Sequence, residues 1–338
     1  MHATTSWTHL RSTHVPIHED GAHDRAPDVP GARSRARSVR HVIACEPNDP
    51  ASWADQLRTP TAADHKYTRG HVVVSGGWPL TGAARLAARA AARAGAGIVT
   101  LAAPPRGWAV YARALESALV RPVYGRIAWR RLLEDPRVGA VVLGPGAGAT
   151  RRTRTRVLDT LSLRRDLPVV LDADAINVFA GDPEGLARAV HGAGSWCVLT
   201  PHHGEFVRVF GEELGAREAA ALTGAVVVRK GPHTQVATPD GACREMAHAP
   251  HWLATAGTGD VLSGIVAALL AQGVPPFDAA SAAVWVQAEA ARRVGRGLVA
   301  SDLPDEIPAA MDAAIAVARG AIAVGGDGDG DGEGVYVR

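Results

Sequence analysis

Lysine is almost missing from this chain. Of its 36 basic residues only Lys66 and Lys230 are lysines, and arginine supplies the rest. Arginine is a planar fork, whereas lysine is a compact, mobile point charge, so ammonium chemistry toward a phosphate or a hydroxyl is confined to two places. Lys66 lies in HKYTRGH, just before a strand-like VVVS, and Lys230 ends another strand-like run in VVVRKGPHT. Cysteine is scarce too. Cys45, Cys197 and Cys243 are scattered, odd in number and without a CxxC pair, which reads as reduced thiols in a cytoplasmic protein. Net charge is +2, too weak a field to point to nucleic acid as a partner. No apolar run approaches the ~20 residues that span a bilayer, and the start lacks a signal-peptide core, so no membrane partner is expected.

What is present is apolar and repetitive. The chain has 338 residues, 47% of them hydrophobic, enough for a large core. Residues 1–45 carry scattered histidines among Arg, Asp, Pro and Ser without apolar periodicity and read as a disordered tail. Residues 321–338, rich in Gly and Asp, resemble a calcium loop only in composition and read as a flexible tail. Between them, continuous β-branched runs alternate with alanine-rich helical stretches. The strand candidates are His71–Ser75, Gly97–Ala102, Ala140–Leu143, Pro168–Asp172, Cys197–Thr200 and Ala225–Arg229. Unbroken apolar runs, rather than in/out alternation, belong to parallel strands covered on both faces. The expected fold is α/β, a doubly wound, mostly parallel sheet in a single domain over 46–320, with ligands beyond the carboxyl ends of the strands.

The sharpest chemical segment is ATAGTGDVLSGIVAALLAQG. A wide apolar stripe from Val261 to Leu270 predicts a packed helix that begins near Thr258, with Gly257, Thr258 and Gly259 as its opening turn. Backbone N–H groups at such a turn, helped by the helix dipole, suit a phosphoryl group. Asp260 sits on the first turn, where the dipole is expected to keep it ionised and ready to take a proton; the alternative is a simple helix cap. VVLGPGAGAT ends a strand in glycines that let a ligand approach the backbone. VVLDADAIN ends one in Asp172 and Asp174, suited to orienting a substrate, holding a metal through water or capping a helix. LTPHHGEF ends another in His202, His203 and Glu205, and Glu205 is a magnesium-shell candidate. Arg151, Arg152, Arg154 and Arg156 suit contact with a ligand's phosphates but read first as a solvated helix face, Trp78 and Trp252 as candidates to stack on a base, and Trp196 as core.

Seven segments in order, HKYTRGHVVVSGG, TGAARLAARAAARAGAGIVTLAAP, VVLGPGAG, VVLDADAIN, LTPHHGEF, VVVRKGPHTQVATPDG and ATAGTGDVLSGIVAALLAQG, with the closing GLVASDLPDEIP, resemble the NAD(P)H-hydrate dehydratase family. The resemblance implies a ribokinase-like fold and the repair of hydrated nicotinamide cofactors, driven by ADP or, less typically for bacterial members, ATP, with Mg2+. It assigns Asp260 as the base and Gly257, Thr258 and Gly259 as the anion hole. It assigns Ala83, Gly146, His202 and Asp260 to the hydrated dinucleotide. Lys230, Gly231, Pro232, His233 and Thr234, with Gly259, fall to the adenine nucleotide, and Glu205 to magnesium through water. It also implies a homo-oligomer, often a tetramer, and a functional link to an NAD(P)H-hydrate epimerase, expected as a separate protein or as the lost half of a fusion. Phe206–Gly224 is shorter than the family pattern and is expected to lose a helix. Two other readings keep the fold: a kinase of a small hydroxylated metabolite, and a catalytically dead nucleotide-binding protein.

Overall fold

The computed structural model describes residues 44–192 and 196–321. The two stretches read above as tails lie outside the described residues, except for their innermost positions at 44, 45 and 321. Ten strands form one sheet: β1 (Glu46–Pro47), β2 (His71–Ser75), β3 (Ile98–Ala103), β4 (Leu119–Pro122), β5 (Ala140–Leu143), β6 (Val169–Leu171), β7 (Cys197–Leu199), β8 (Val226–Arg229), β9 (Thr234–Ala237) and β10 (Cys243–Met246). Their order is β1-β10-β9-β8-β7-β6-β5-β2-β3-β4. β9 runs antiparallel to β8 and β10, and every other neighbouring pair is parallel.

Helices cover both faces. They are α1 (Gly82–Arg93), α2 (Trp108–Ala114), α3 (Gly125–Leu133), α4 (Arg151–Leu163), α5 (Asp174–Asn177), α6 (Pro183–His191), α7 (His203–Phe210), α8 (Ala216–Thr223), α9 (Thr258–Ala271), α10 (Pro276–Val294) and α11 (Leu303–Ala318). The two-faced burial explains the unbroken apolar strands. In β2, Val72 and Val74 join one core with α1, α9, α10 and α11, while Val73 joins the other with Trp129, Val157 and Phe179. No helix among the described residues is long and apolar enough to cross a membrane.

The six strands expected from the sequence are all present, with each end shifted by a residue or less. Four others escaped. β1 is two residues long, β4 is a largely exposed edge, and β9 and β10 form a hairpin whose pattern is too mixed to read as a buried strand. Phe206–Gly224 holds two helices, the end of α7 and all of α8, whose short apolar faces (Phe206, Val209, Phe210; Ala219, Ala220) cover that side of the sheet. Two more expectations are corrected. Cys45 and Cys243 form a disulfide instead of standing as free thiols. Sequence separation of 198 residues hid the pair; the parallel register of β1 and β10 brings Cys45, one residue before β1, beside the first residue of β10. Cys197 is the free cysteine, buried, and burial pushes its thiol up to about 12. Trp196 is 37% exposed rather than core, since it precedes β7 instead of lying within it.

The packing that matters most to the site is α1 on α9. Ala84, Ala87, Ala88 and Ala91 make a small-residue face on α1, and Gly264 of α9 lies so close that a Cβ there would stand 2.2 Å from the Ala87 carbonyl oxygen. Gly264→Val should therefore destabilise the fold by about 2 kcal/mol or more through overpacking. A urea-denaturation midpoint equal to or above the wild type would show that α9 can move away freely.

Candidate active site

The first turn of α9 meets the loops that follow β6, β7 and β8, and the junction encloses a cleft of about 660 Å³. Gly257 starts the turn at φ +96°, in the left-handed region, and no side chain caps the helix. The first N–H groups of α9 thus lack intrahelical partners and face the cleft, with the positive end of the dipole behind them. Thr258 anchors the turn from below, its hydroxyl donating to the carbonyls of Leu253 (3.0 Å) and Thr255 (3.1 Å). Gln287 of α10 donates to the Thr258 carbonyl (2.5 Å).

Around this turn gathers an acidic group with one lysine. Asp172, at the end of β6, is 1% exposed and pairs with Lys230 Nζ at 3.0 Å. It also accepts from the hydroxyls of Thr200 and Ser263, each at 2.8 Å. Lys230 reaches it from the end of β8, and its ammonium presses on α9: a Cβ on Gly259 would lie 2.8 Å from Nζ. Glu205 is buried in the first turn of α7 and accepts from the His202 N–H at 3.0 Å, closing a capping box with that histidine. Its carboxyl is pushed up, first by burial and then by the Asp172 charge, against the pull of Lys230.

Asp260 carries the largest consequence. Burial, reinforced by Asp172, Glu205 and Asp174, raises its carboxyl to about 7 despite the opposing Lys230. The expectation that the dipole would hold it ionised is corrected. A helix dipole contributes about 1 kcal/mol, less than one pKa unit, and burial among carboxylates outweighs it. The result is a group poised at neutral pH, which is what proton abstraction calls for.

Of the residues picked from the sequence, Asp260, Gly257, Thr258, Gly259, His202, Glu205, Lys230, Gly231, Pro232 and Thr234 all line this cleft. His233 does not. It turns outward and pairs with Glu245 at 3.2 Å, because it sits at the tip of the β8–β9 turn. Ala83 and Gly146 also lie outside the lining; they pack together where the β2–α1 and β5–α4 loops meet, 3.5 Å separating Ala83 Cβ from a Cβ placed on Gly146. Lys66 is in an exposed turn, its ammonium 5.4 Å from the Tyr67 ring centre, away from the cleft. Asp174 accepts from the Gly148 N–H at 2.7 Å and so ties two loops together.

Sequence reasoning missed Thr200, Ser263 and Gln287. The signal was there for two of them: Ser263 and Gln287 are polar residues inside otherwise apolar helical runs. Among the described residues no group of three or more His, Cys, Asp or Glu is arranged to hold a metal by itself. The donors available are carboxylate oxygens, which suit Mg2+, and Glu205 fits an ion held mainly by a ligand's phosphates with a protein carboxylate behind water.

The profile of the NAD(P)H-hydrate dehydratase family matches residues 71–312. The ADP-dependent (S)-NAD(P)H-hydrate dehydratase of Neisseria meningitidis is 37% identical over 264 residues, covering 73% of this chain and 85% of that protein. The bifunctional NAD(P)H-hydrate repair enzyme Nnr of Salinibacter ruber is 40% identical over 273 residues, 74% of this chain and 49% of that protein. The chain spans about half the length of such bifunctional relatives. Among solved structures, an ADP/ATP-dependent NAD(P)H-hydrate dehydratase from Bacillus subtilis, co-crystallised with ATP and Mg2+, superposes with a TM-score of 0.68 at 27% identity, covering 80% of this chain and 99% of that one.

The raised Asp260 carboxyl makes a stability prediction. Its folded value, about 7, exceeds the ordinary aspartate value of 3.8, so its contribution is fully present only below the unfolded value and is lost as pH rises through about 7. Asp260→Asn removes that loss. The variant should gain melting temperature over the wild type at pH 8 and match it more closely at pH 5; equal differences at both would mean that Asp260 ionises normally.

Proposed function

The chain belongs to the NAD(P)H-hydrate dehydratase family, and we propose that it repairs nicotinamide cofactors by dehydrating (S)-NAD(P)H hydrate at the expense of ADP or, less favoured, ATP. The observation that carries this reading is Asp260, raised to about 7 beside the uncapped start of α9 and within the same cleft as Lys230. Hydroxide leaves a hydrated ring slowly, since its conjugate acid has a pKa of about 15.7. In the proposed reaction Asp260 takes the proton from the hydrate's hydroxyl, whose oxygen attacks the terminal phosphorus of the nucleotide. The bond from that phosphorus to the remaining nucleotide breaks. The ring nitrogen's lone pair then expels phosphate, a far weaker base than hydroxide, leaving an iminium, and loss of a proton to solvent from the adjacent ring carbon restores the ring double bond.

The N–H groups at Gly257, Thr258 and Gly259 are suited to the charge on the transferring group. Lys230, Gly231, Pro232 and Thr234 are proposed to hold the nucleotide, and His202 with Ala83 and Gly146 the dinucleotide. Mg2+, held by nucleotide phosphates and through water by Glu205, would neutralise phosphate charge. Asp172 has another part: it fixes the Lys230 ammonium at 3.0 Å, so that the cation meets the phosphates in one position. A cytoplasmic setting, a homo-oligomer (a tetramer on the family pattern) and a functional link to an epimerase belong to the same proposal. Exposed Leu119, Tyr124 and Ile127 around edge strand β4 support self-association.

The test is direct. Purified protein, hydrated NADH, Mg2+ and ADP or ATP should regenerate the near-ultraviolet absorbance of reduced nicotinamide, and Asp260→Asn should slow this by about 100-fold or more. In the wild type kcat/KM should climb with pH and level off above about 7 as Asp260 ionises. Replacing Lys230 by Met should move that limb to higher pH, because the ammonium favours the ionised carboxylate. No regeneration with either nucleotide, while nucleotide still binds, would shift the reading to a kinase of another hydroxylated metabolite or to a binding protein without turnover.

A further inference from the structure

A second cavity, also about 660 Å³, lies outside the cleft just described. It sits beyond the ends of β2, β3 and β5, on the side covered by α4. The chain runs outward from β2 through β3 to β4 and then returns to β5 on the other side of β2, so the strand order reverses between β2 and β5. Open α/β sheets bind ligands at such a reversal, where the loops on either side diverge. Here the cavity is separated from the catalytic cleft by a single layer of backbone: Gly144 lines it, and a Cβ on Gly144 would stand 1.7 Å from the carbonyl oxygen of Asp172, which lines the cleft.

The charged lining has one sign. Arg106, Arg152 and Arg156 face the cavity, and among the described residues no Asp or Glu does. The Arg156 guanidinium carbon stands over the Trp129 ring, 4.8 Å from its centre, and the side chain donates to Ser75 Oγ at 2.9 Å, its one side-chain hydrogen bond among the described residues. Burial and the neighbouring Arg152 bring its guanidinium down to about 10, and the Asp159 charge offsets only part of this. The nearest acid in sequence, Asp159, is already occupied by a two-pronged bond from Arg126 at 2.7 and 2.5 Å. Arg154, on the same helix, contrasts with it: it turns away and pairs with Asp182 at 2.5 Å. The first reading of these arginines as a solvated face holds only in part, since the four divide between the surface, an ion pair and a cavity. A half-buried guanidinium facing open space without a carboxylate is costly unless an anion completes it. Trp78 and Tyr124, both substantially exposed, offer flat apolar walls on the same cavity.

We propose that this cavity binds the phosphate of a nucleotide, with Arg156 and Arg152 as the cationic contacts and Trp78 as a stacking wall for the base. The phosphate comes either from the far adenylate half of the dinucleotide or from a free mononucleotide that binds apart from the cleft. Only the first source rests on the dehydratase reading. The experiment is calorimetric titration of the full chain with the cleft saturated by ADP and Mg2+, using NADP+ in one arm and AMP in the other. Arg152→Glu is the main variant, since Arg152 is exposed and its loss leaves the core intact; Arg156→Gln is the second, and Arg151→Glu, outside the cavity lining, is the control. Arg152→Glu and Arg156→Gln should weaken binding by about tenfold or more, the control should not, and the affinity for ADP should be unchanged in all three. Weakening confined to NADP+ assigns the cavity to the dinucleotide; weakening of AMP assigns it to a mononucleotide. Unchanged affinity for both ligands would overturn the proposal. Because binding is read rather than turnover, the result stands whether or not the protein dehydrates NAD(P)H hydrate.

Discussion

The pairing of Lys230 with the buried Asp172 is the interaction on which the cleft depends. Asp172, Glu205 and Asp260 come from three different segments, and their charges would repel one another in a half-buried space. One ammonium at 3.0 Å offsets part of that repulsion, while the Thr200 hydroxyl donates to the same Asp172 oxygen and the Ser263 hydroxyl to the other. The offset is incomplete, and burial, reinforced by the repulsion that is left, raises the Asp260 carboxyl to about 7. The same charge arrangement thus supports the fold locally and tunes the proposed base. An arginine would not substitute simply, because a planar fork needs more room than the space against Gly259 leaves.

That geometry needs α9 to be held fixed, and the hold comes from small residues. Alanines on α1 and Gly264 on α9 bring the two helices close enough that the start of α9 cannot drift from the ends of β6 and β8. Gln287 on α10 and the Thr258 hydroxyl secure the turn itself. The parallel sheet does the rest, by delivering the ends of β6, β7 and β8 to one edge. The same edge carries two cavities, one acidic with a lysine and one lined only by arginines among its charged groups, placed on either side of the backbone at Gly144 and Asp172.

Much of this was legible in the chain. Unbroken Val runs are readable as buried parallel strands because both faces are covered, and the six so marked all form. Lys230 stood out because arginine replaces lysine almost everywhere else. β4 was opaque because it is an exposed edge, and β9 and β10 because Thr234, Gln235, Arg244 and Glu245 break their apolar runs. His233 illustrates a different failure. It lies in a motif whose other members line the cleft, yet it occupies the outer position of a tight turn and pairs with Glu245. Motif membership does not give side-chain direction.

By itself the sequence determined the α/β class, the order of the main strands and helices, and the residues that gather at α9, because periodicity, glycine turns and rare lysines are local signals. Only the tertiary structure decided how those residues bear on one another. The Cys45–Cys243 bond, the Asp172–Lys230 pair, the rise of the Asp260 carboxyl and the unpartnered face of Arg156 all join segments far apart along the chain. Burial and Coulomb interaction depend on distance in space, and sequence spacing does not encode that distance until the sheet has closed it.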